Sequence, residues 1–369
     1  MARITIKDLS KNYGPLRCLD KVNLEIGDGQ LAAIVGPSGC GKTTLMRCIA
    51  GLETFSEGSI YIDDELINEK EPKDRDVAMV FQYYALYPHM TVFQNLSLGL
   101  EHTTSLSKEE IRRRVEEISE VLKISKFLKR KPGQLSGGES QRVAIGRALV
   151  RKPKVFLLDE PLSAVDTKLR RDLRSEIKRI QRSFGVTTLY ITHDQEEAMA
   201  VADQLVVIGS GVIHQVGIPE DVFNRPKDQF VARFIGKPPM NLLALKAENE
   251  GGRHLLRNGS FSYEVSRESY DRYLTSSLGK SVIVGVRPSA IKILEGNARS
   301  PETITNSGTL SLIENMGNEN YLYLNLNSDR MVVKTVSQSV PEIGDVVRFT
   351  FEEEDMYLFD MTTKESLKK

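Results

Sequence analysis

One octapeptide constrains the fold of this chain more than any other feature. The segment Gly36-Pro-Ser-Gly-Cys-Gly-Lys-Thr43 fits the pattern G-x-x-x-x-G-K-[ST] without a mismatch. It follows Leu31–Val35, an apolar run that predicts a buried strand, and it precedes a helical pattern over residues 44–50. Strand, loop and helix in this order predict a phosphate-binding loop within an α/β fold. An ordinary glycine-rich turn is the structural alternative.

The residue types in the loop suit this chemistry. Three glycines allow successive backbone N–H groups to converge on phosphate oxygens, and the helix start adds its positive end. We expect Lys42 to reach the β- and γ-phosphates of a nucleotide and the Thr43 hydroxyl to bind Mg²⁺. The predicted nucleotide-binding residues of the loop are Gly36, Pro37, Ser38, Gly39, Cys40, Gly41, Lys42, Thr43 and Thr44.

Two acids follow a second apolar run, Val155–Leu158. Acids after a strand often only cap a helix, but a phosphate loop elsewhere in the chain favours a catalytic role. We expect Asp159 to hold Mg²⁺ through water and Glu160 to polarise the attacking water as a general base.

Two further segments carry candidate phosphate contacts. Ser136, Gly137 and Gly138 precede a helical pattern from about residue 139 to 151, so they can present N–H groups and a hydroxyl to an anion. His193 follows the strand-like run 188–192, and its ring is a candidate donor to a γ-phosphate. A histidine that caps the next helix is an equally good interpretation of the local sequence.

Together and in this order, these motifs resemble those of the ATP-binding subunits of ABC transporters, over about the first 235 residues. The resemblance implies an ATPase with ATP and Mg²⁺ as cofactors, and Lys42, Gln82, Glu160 and His193 as its catalytic residues. It implies that Tyr13 stacks on adenine and that Gln82 contacts Mg²⁺ and the membrane subunits. It also places Asp166 in a loop that crosses a dimer interface.

The resemblance assigns the signature loop to the nucleotide of a partner subunit, which implies a homodimer or a paired ATPase subunit. The residues of this loop are Ser136, Gly137, Gly138 and Glu139. Glu139 stands where the family usually has glutamine. Because Lys42, Asp159, Glu160 and His193 are all present, we expect Glu139 to tune activity without abolishing it.

A second domain is expected after residue 235. The alternating α/β pattern stops near residues 230–241, which predicts domains over 1–235 and 236–369. A charged helical pattern from about residue 87 to 131 resembles the family's helical subdomain, which we expect at about 87–155. Four strand-like runs at 281–286, 321–326, 331–336 and 345–351 predict a small barrel. The expected fold class is therefore an α/β P-loop NTPase, of ABC type, followed by an all-β domain.

Segments 217–226 and 230–241 narrow the resemblance to maltose-type sugar importer ATPases. In that group the second domain is an OB-like regulatory module. The resemblance implies two membrane permease subunits as partners, fed by an extracytoplasmic solute-binding protein. The expected solute is an oligosaccharide or a glycerol-phosphate-like compound, and a polyamine, iron or sulfate importer is the alternative within transport.

Composition bears on partners and location. The 50 basic and 50 acidic residues cancel, so we expect no nucleic-acid partner. The sequence has no apolar run near 18 residues and no leader pattern, so we expect a peripheral protein at the cytoplasmic face of the membrane. A soluble ABC ATPase acting on ribosomes or DNA is the alternative from another class. It predicts a second cassette, a coiled-coil insertion or a basic extension, and the sequence has none of these.

Overall fold

The structure is a computed structural model that describes residues 2–81, 85–163, 167–275, 279–294, 306–337 and 340–368, with 167–169 described by their backbone alone. Two predicted site residues, Gln82 and Asp166, lie outside the described residues. The chain forms two compact units that divide between Glu220 and Asp221. Across the described ranges, no helix combines the length and apolar character needed to cross a bilayer.

The first unit alternates strands and helices. Its strands are β1 (Ile4–Tyr13), β2 (Leu16–Ile26), β3 (Leu31–Val35), β4 (Glu57–Ile62), β5 (Glu65–Leu66), β6 (Val77–Val80), β7 (Val155–Asp159), β8 (Thr187–Ile191), β9 (Gln204–Gly209) and β10 (Val212–Gly217). Its helices are α1 (Lys42–Ala50), α2 (Val92–Thr103), α3 (Lys108–Val121), α4 (Gly137–Leu149), α5 (Thr167–Phe184) and α6 (Gln195–Val201), and α7 (Pro219–Asn224) crosses into the second unit.

The central sheet of the first unit has the strand order β10-β9-β3-β8-β7-β6. The pairs β6–β7, β7–β8, β8–β3 and β3–β9 are parallel, and β10 is antiparallel to β9. Every residue of β3, β7 and β8 is buried, as expected for parallel strands covered on both faces. The carboxyl ends of β3, β8 and β7 therefore lie side by side, and the predicted site segments follow these ends. A separate antiparallel sheet has the order β2-β1-β4-β5.

Helices α2, α3 and α4, which lie within residues 87–155, contact one another. Helix α3 begins with the capping box of Ser107 and Glu110, which satisfies N–H groups at the helix start. Its apolar stripe, Ile111, Val115 and Ile118, is buried. The helical spacing in the sequence thus identifies the packed face of α3.

The second unit is mostly β-structure, which confirms the all-β prediction. Its elements are α8 (Gln229–Phe234), β11 (Asn241–Glu250), β12 (Arg253–Arg257), β13 (Ser262–Val265), α9 (Arg267–Ser269), a π-helical turn (Tyr270–Leu274), β14 (Ser281–Val286), β15 (Lys292–Ile293), β16 (Asn306–Asn315), β17 (Asn320–Leu326), β18 (Asp329–Thr335), β19 (Val346–Thr350) and β20 (Met356–Asp360). The two five-stranded sheets are β13-β12-β11-β14-β20 and β15-β19-β16-β17-β18. They share a core that includes Leu322, Phe349 and Leu358.

Residues 221–234 pack with the second unit, although the sequence places the domain boundary at residue 235. Arg287, which follows β14, donates hydrogen bonds to the carbonyl oxygens of Ile235, at 2.8 Å, and Phe223. Its guanidinium also lies 3.6 Å from the centre of the Phe223 ring. These contacts attach the segment to the strand-rich second unit. The boundary at residue 235 stays a prediction.

Candidate functional site

The predicted phosphate loop connects β3 to α1, and its glycines are required by the backbone. Gly39 and Gly41 have φ angles of 77° and 103°, a region that side chains disfavour. At Gly36 the constraint is space, because a Cβ would lie 2.1 Å from the carbonyl oxygen of Ile208. The loop therefore has the backbone conformation that its sequence predicts.

Helix α1 begins without a side-chain cap. Its N-cap residue is Gly41, no side chain among the described residues accepts a hydrogen bond from its first N–H groups, and its first turn contains no acid. The N–H groups of the first turn and the positive end of the helix dipole are thus uncompensated. This combination favours an anion at the start of α1.

Lys42 is 6% exposed and folds back over the loop. Its Nζ donates to the carbonyl oxygens of Gly36 and Pro37, each at 2.9 Å. The ammonium therefore lies at the loop, where the sequence predicts it. To bind a phosphate it must exchange these carbonyl contacts for phosphate oxygens.

Thr43 and Asp159 meet between α1 and the end of β7. The Thr43 hydroxyl donates to Asp159 Oδ1 at 3.3 Å. Burial raises the pKa of Asp159, and the Thr43 hydrogen bond partly offsets this. Two oxygen donors beside a phosphate loop suit Mg²⁺, which usually completes its coordination with water and phosphate oxygens. The described part of the chain contains no cluster of three or more His, Cys, Asp or Glu side chains that could hold a metal ion.

Glu160 and His193 lie together at neighbouring strand ends. Asp159 pairs with Ile191 in the sheet, and the Glu160 N–H donates to the Ile191 carbonyl oxygen at 3.0 Å. This register brings Glu160 Oε2 to 3.4 Å from His193 Nδ1. Glu160 has a φ of 46°, which is uncommon outside glycine and is often found at functional positions.

The structure excludes one of the two interpretations of His193, the capping of the next helix. Helix α6 is capped by Asp194, whose Oδ1 accepts hydrogen bonds from the N–H groups of Glu196 and Glu197. His193 does not cap this helix, and its side chain is 58% exposed. The ring is therefore available to a ligand at the strand ends.

The signature loop forms the start of α4. Ser136 is the N-cap, its Oγ accepts from the Glu139 N–H at 3.3 Å, and its own N–H donates to Glu139 Oε2 at 2.8 Å. This capping box occupies Glu139 with the backbone of its own loop, and the Ser-x-x-Glu pattern would have predicted it. Within the described ranges, none of the hydrogen bonds of Ser136 to Glu139 reaches the phosphate loop.

Tyr13 lies at the end of β1 and is 44% exposed. Close to this position lies a residue that sequence reasoning missed, Cys18, whose Sγ is 3.4 Å from the Thr44 hydroxyl oxygen at the start of α1. Its carbonyl oxygen would lie 2.9 Å from a Cβ at Gly41. The pairing of β1 with β2 has register shifts, so alternation along the sequence cannot predict this contact.

Comparison with known families and proteins agrees with this geometry. Residues 19–163 match the family described as ABC transporter, residues 236–291 match the MalK OB fold domain, and residues 284–359 match the TOBE domain. The last two matches lie within the strand-rich second unit.

Three similar proteins extend along the whole chain. The Haloferax volcanii xylose/arabinose import ATP-binding protein XacK is 44% identical, covering 100% of this chain and 96% of its own. An Agrobacterium fabrum sn-glycerol-3-phosphate import ATP-binding protein, UgpC 3, is 45% identical over 99% of both chains. The Thermococcus litoralis trehalose/maltose import ATP-binding protein MalK is 42% identical over 100% of both.

Among solved structures, the first unit resembles the ATP-binding cassette MJ0796, determined as a dimer in a post-hydrolysis state bound to ADP and Pi. The sequence identity is 32% and the TM-score is 0.53, over 58% of this chain and 98% of the cassette.

Proposed function

This chain belongs to the ATP-binding subunits of ABC importers, and we propose that it couples ATP hydrolysis to the uptake of a sugar or a glycerol phosphate. The observation that carries the proposal is the convergence of the Thr43–Asp159 pair and the Glu160–His193 pair beside the phosphate loop. This arrangement supports ATP hydrolysis as well as ATP binding, because Glu160 can act as a base in addition to the residues that contact phosphate.

In the proposed reaction, water attacks the γ-phosphorus of ATP and ADP leaves. Glu160 accepts the proton of the attacking water, and His193 holds the γ-phosphate and the water in position. Thr43 and Asp159 would hold Mg²⁺, Asp159 through water, and the ion would neutralise charge on the phosphates. Lys42 would bind the β- and γ-phosphates after leaving the carbonyl oxygens of the loop. Gln82 is also proposed to contact Mg²⁺.

The proposed active unit is a dimer in which each signature loop contacts the nucleotide of the other subunit. Helix α4 begins with Gly137 and Gly138 after its N-cap Ser136, and the N–H groups of its first turn point along the helix axis beyond the N-terminus. The loop makes no hydrogen bond to the phosphate loop of its own chain among the described residues, which leaves it for another ligand. Asp166 is proposed to lie at the same dimer interface.

We propose that a groove in the first unit receives a helix of each membrane permease subunit. The cavity measures about 630 Å³ and lies between β6, α2 and α4. Its lining includes Met79, Phe81, Tyr87, Leu98 and Arg147. Phe81 and Tyr87 are 36% and 43% exposed, so the groove presents aromatic surface that a helix can cover.

The proposed location is the cytoplasmic side of the membrane, where the chain binds two permeases fed by an extracytoplasmic solute-binding protein. The names of the relatives favour xylose, arabinose, trehalose, maltose or glycerol 3-phosphate as the class of solute. They give no support to a polyamine, iron or sulfate importer, or to an ATPase acting on ribosomes or DNA.

The test is affinity capture of the full-length Glu160→Gln variant from detergent-solubilised membranes with ATP and Mg²⁺. Loss of the base should hold the ATP-bound dimer on its partners. We expect two multi-spanning proteins in the captured complex. The solute-binding protein that serves these membrane subunits should bind a sugar or glycerol phosphate. Capture of ribosomal or DNA-repair components without a membrane protein would contradict the importer, and a polyamine, iron or sulfate ligand would contradict the solute class.

A further inference from the structure

Three side chains at the predicted adenine contact form a closed cluster. Lys11 Nζ lies 2.7 Å from Glu53 Oε1, and the Tyr13 hydroxyl donates to Glu53 Oε2 at 2.9 Å. Lys11 Nζ also lies 4.6 Å from the centre of the Tyr13 ring. Each member therefore contacts the other two, and Tyr13 is held both at its hydroxyl and at one face.

The cluster connects the end of β1 to the chain beyond α1. Lys11 and Tyr13 are on β1, whereas Glu53 follows the C-terminal end of α1, the helix that begins at the phosphate loop. Lys11 donates a second hydrogen bond to Thr54 Oγ1 at 3.4 Å. The orientation of Tyr13 is thus tied to the element that carries the phosphate-binding N–H groups.

Within the cluster, Lys11 and Glu53 are more buried than Tyr13, which can therefore contact a ligand. Lys11 is 7% exposed and the Glu53 side chain 24%, whereas Tyr13 remains 44% exposed. A buried ammonium requires a partner, and Glu53 supplies it. Because Lys11 lies over one face of the ring, a planar base can stack only on the other face.

We propose that Lys11 and Glu53 are positioning residues for the nucleobase, and that they orient the Tyr13 ring so that its free face receives adenine. The inference rests on the proposed ATP site. Neither residue is required to touch the nucleotide, since both act through Tyr13. A ring held in place before ATP arrives loses less conformational freedom on binding, which strengthens the stack.

The charges of the cluster persist at neutral pH. The hydrogen bond to Glu53 raises the pKa of Lys11, and the same bond lowers the pKa of Glu53. Burial, followed by the hydrogen bond to Glu53, raises the pKa of Tyr13. All three groups therefore keep the protonation states that the contacts require, and the positioning effect should not vary between about pH 6 and 8.

The test compares ATP with tripolyphosphate, which has no base, on the full-length protein. In Glu53→Ala and Lys11→Met we expect the KM for ATP to rise about 5- to 20-fold, with kcat and tripolyphosphate inhibition within about twofold of wild type. Glu53→Gln keeps an acceptor for the Tyr13 hydroxyl and should restore most of the ATP affinity. The matched control is Lys178→Met, which removes the half-buried ion pair of Lys178 Nζ and Asp203 Oδ1 at 2.6 Å. It should leave the KM for ATP and the inhibition by tripolyphosphate unchanged.

A double-mutant cycle separates positioning from a general effect on folding. In a Tyr13→Ala background, Glu53→Ala should have no further effect on the KM for ATP. Equal losses of ATP and tripolyphosphate binding, or a wild-type KM in both Glu53→Ala and Lys11→Met, would overturn the inference. If Tyr13→Ala raises the KM for ATP while Glu53→Ala and Lys11→Met do not, only the positioning role of Lys11 and Glu53 is wrong. If Tyr13→Ala itself leaves the KM for ATP unchanged, the proposed adenine contact fails with it.

Discussion

Glu160 Oε2 and His193 Nδ1 lie 3.4 Å apart, although they are 33 positions apart in the sequence. The two residues follow the neighbouring parallel strands β7 and β8, so sheet register and not local sequence brings them together. A carboxylate and an imidazole at this distance can position one water between themselves and a phosphate. The pair is the centre of the proposed hydrolytic site.

Replacement of His193 should therefore affect turnover more than binding. In His193→Ala we expect kcat to fall about 10- to 100-fold, with the KM for ATP within about threefold of wild type, because the ring acts on the γ-phosphate and the water. Steady-state phosphate release measures both constants. The control is His89→Ala, an exposed histidine that does not follow β7 or β8 in the sequence. A larger effect on KM than on kcat would assign His193 to binding instead.

Asp159 should carry the Mg²⁺ dependence of the reaction. We expect Asp159→Asn to lower the Mg²⁺-dependent rate by about 100-fold or more, since the carboxylate that would orient the ion is lost. Titration of ATPase activity with Mg²⁺ measures this effect. Asp64→Asn is the control, because that side chain is 98% exposed. An unchanged Mg²⁺ requirement in Asp159→Asn would contradict the assignment.

The pH dependence of Asp159 has a defined sign. Burial raises its pKa, so the folded protein binds this proton more tightly than the unfolded chain does. Its contribution to stability therefore increases as the pH falls from neutrality through that raised pKa. Protons also compete with Mg²⁺, so Mg²⁺ affinity should weaken over the same acidic range. Wild type should show both trends, and Asp159→Asn should lose the Asp159 contribution to each.

Of two glycine substitutions, only one should affect folding. Gly36→Ala places a Cβ 2.1 Å from the Ile208 carbonyl oxygen, so we expect a loss of about 1–3 kcal/mol of stability and of ATP binding. A Cβ at Gly137 meets no atom within 4 Å among the described residues outside its own helical turn, so Gly137→Ala should fold normally. We expect it to bind ATP yet to lose about tenfold or more in turnover, because the partner's phosphate must approach it. Thermal melts and phosphate release distinguish the two, and normal turnover in Gly137→Ala would contradict the dimer contact.

The proposed permease groove can be tested with one charge. Leu98→Glu places a carboxylate in the groove, so we expect at least tenfold less capture of membrane subunits while basal ATPase activity stays within about twofold. The matched control is Leu66→Glu on β5, where leucine is 49% exposed and lies outside the groove lining. Equal capture by both variants would place the docking surface elsewhere.

The sequence predicts local features that depend on short spacing. The buried strands β3 and β7, the phosphate loop, and the capping box of Ser107 and Glu110 are all present. Ser136 and Glu139 form a capping box with the same Ser-x-x-Glu signature, at the position where glutamate departs from the family pattern. Its geometry shows why glutamate is compatible with the fold at this position, since it accepts the Ser136 N–H.

Contacts between residues far apart in the chain could not be predicted from the sequence, for physical reasons. Lys11 and Glu53, which support Tyr13, are 42 positions apart in the sequence. Because the pairing of β1 with β2 is irregular, the sequence does not predict which side chains lie on the same face. The contact of Cys18 with Thr44 has the same origin. The proximity of Glu160 and His193 required the order of the strands, which hydrophobic patterns do not encode.

The most direct test of the account is the rate of phosphate release by Glu160→Gln, measured together with ATP affinity and molecular mass. We predict that the variant binds ATP within about threefold of wild type, hydrolyses it about 10²- to 10⁴-fold more slowly, and forms an ATP-dependent dimer. Glu71→Gln, an exposed substitution, should behave as wild type. Wild-type hydrolysis by Glu160→Gln would contradict the assignment of Glu160 as the base and with it the proposed mechanism.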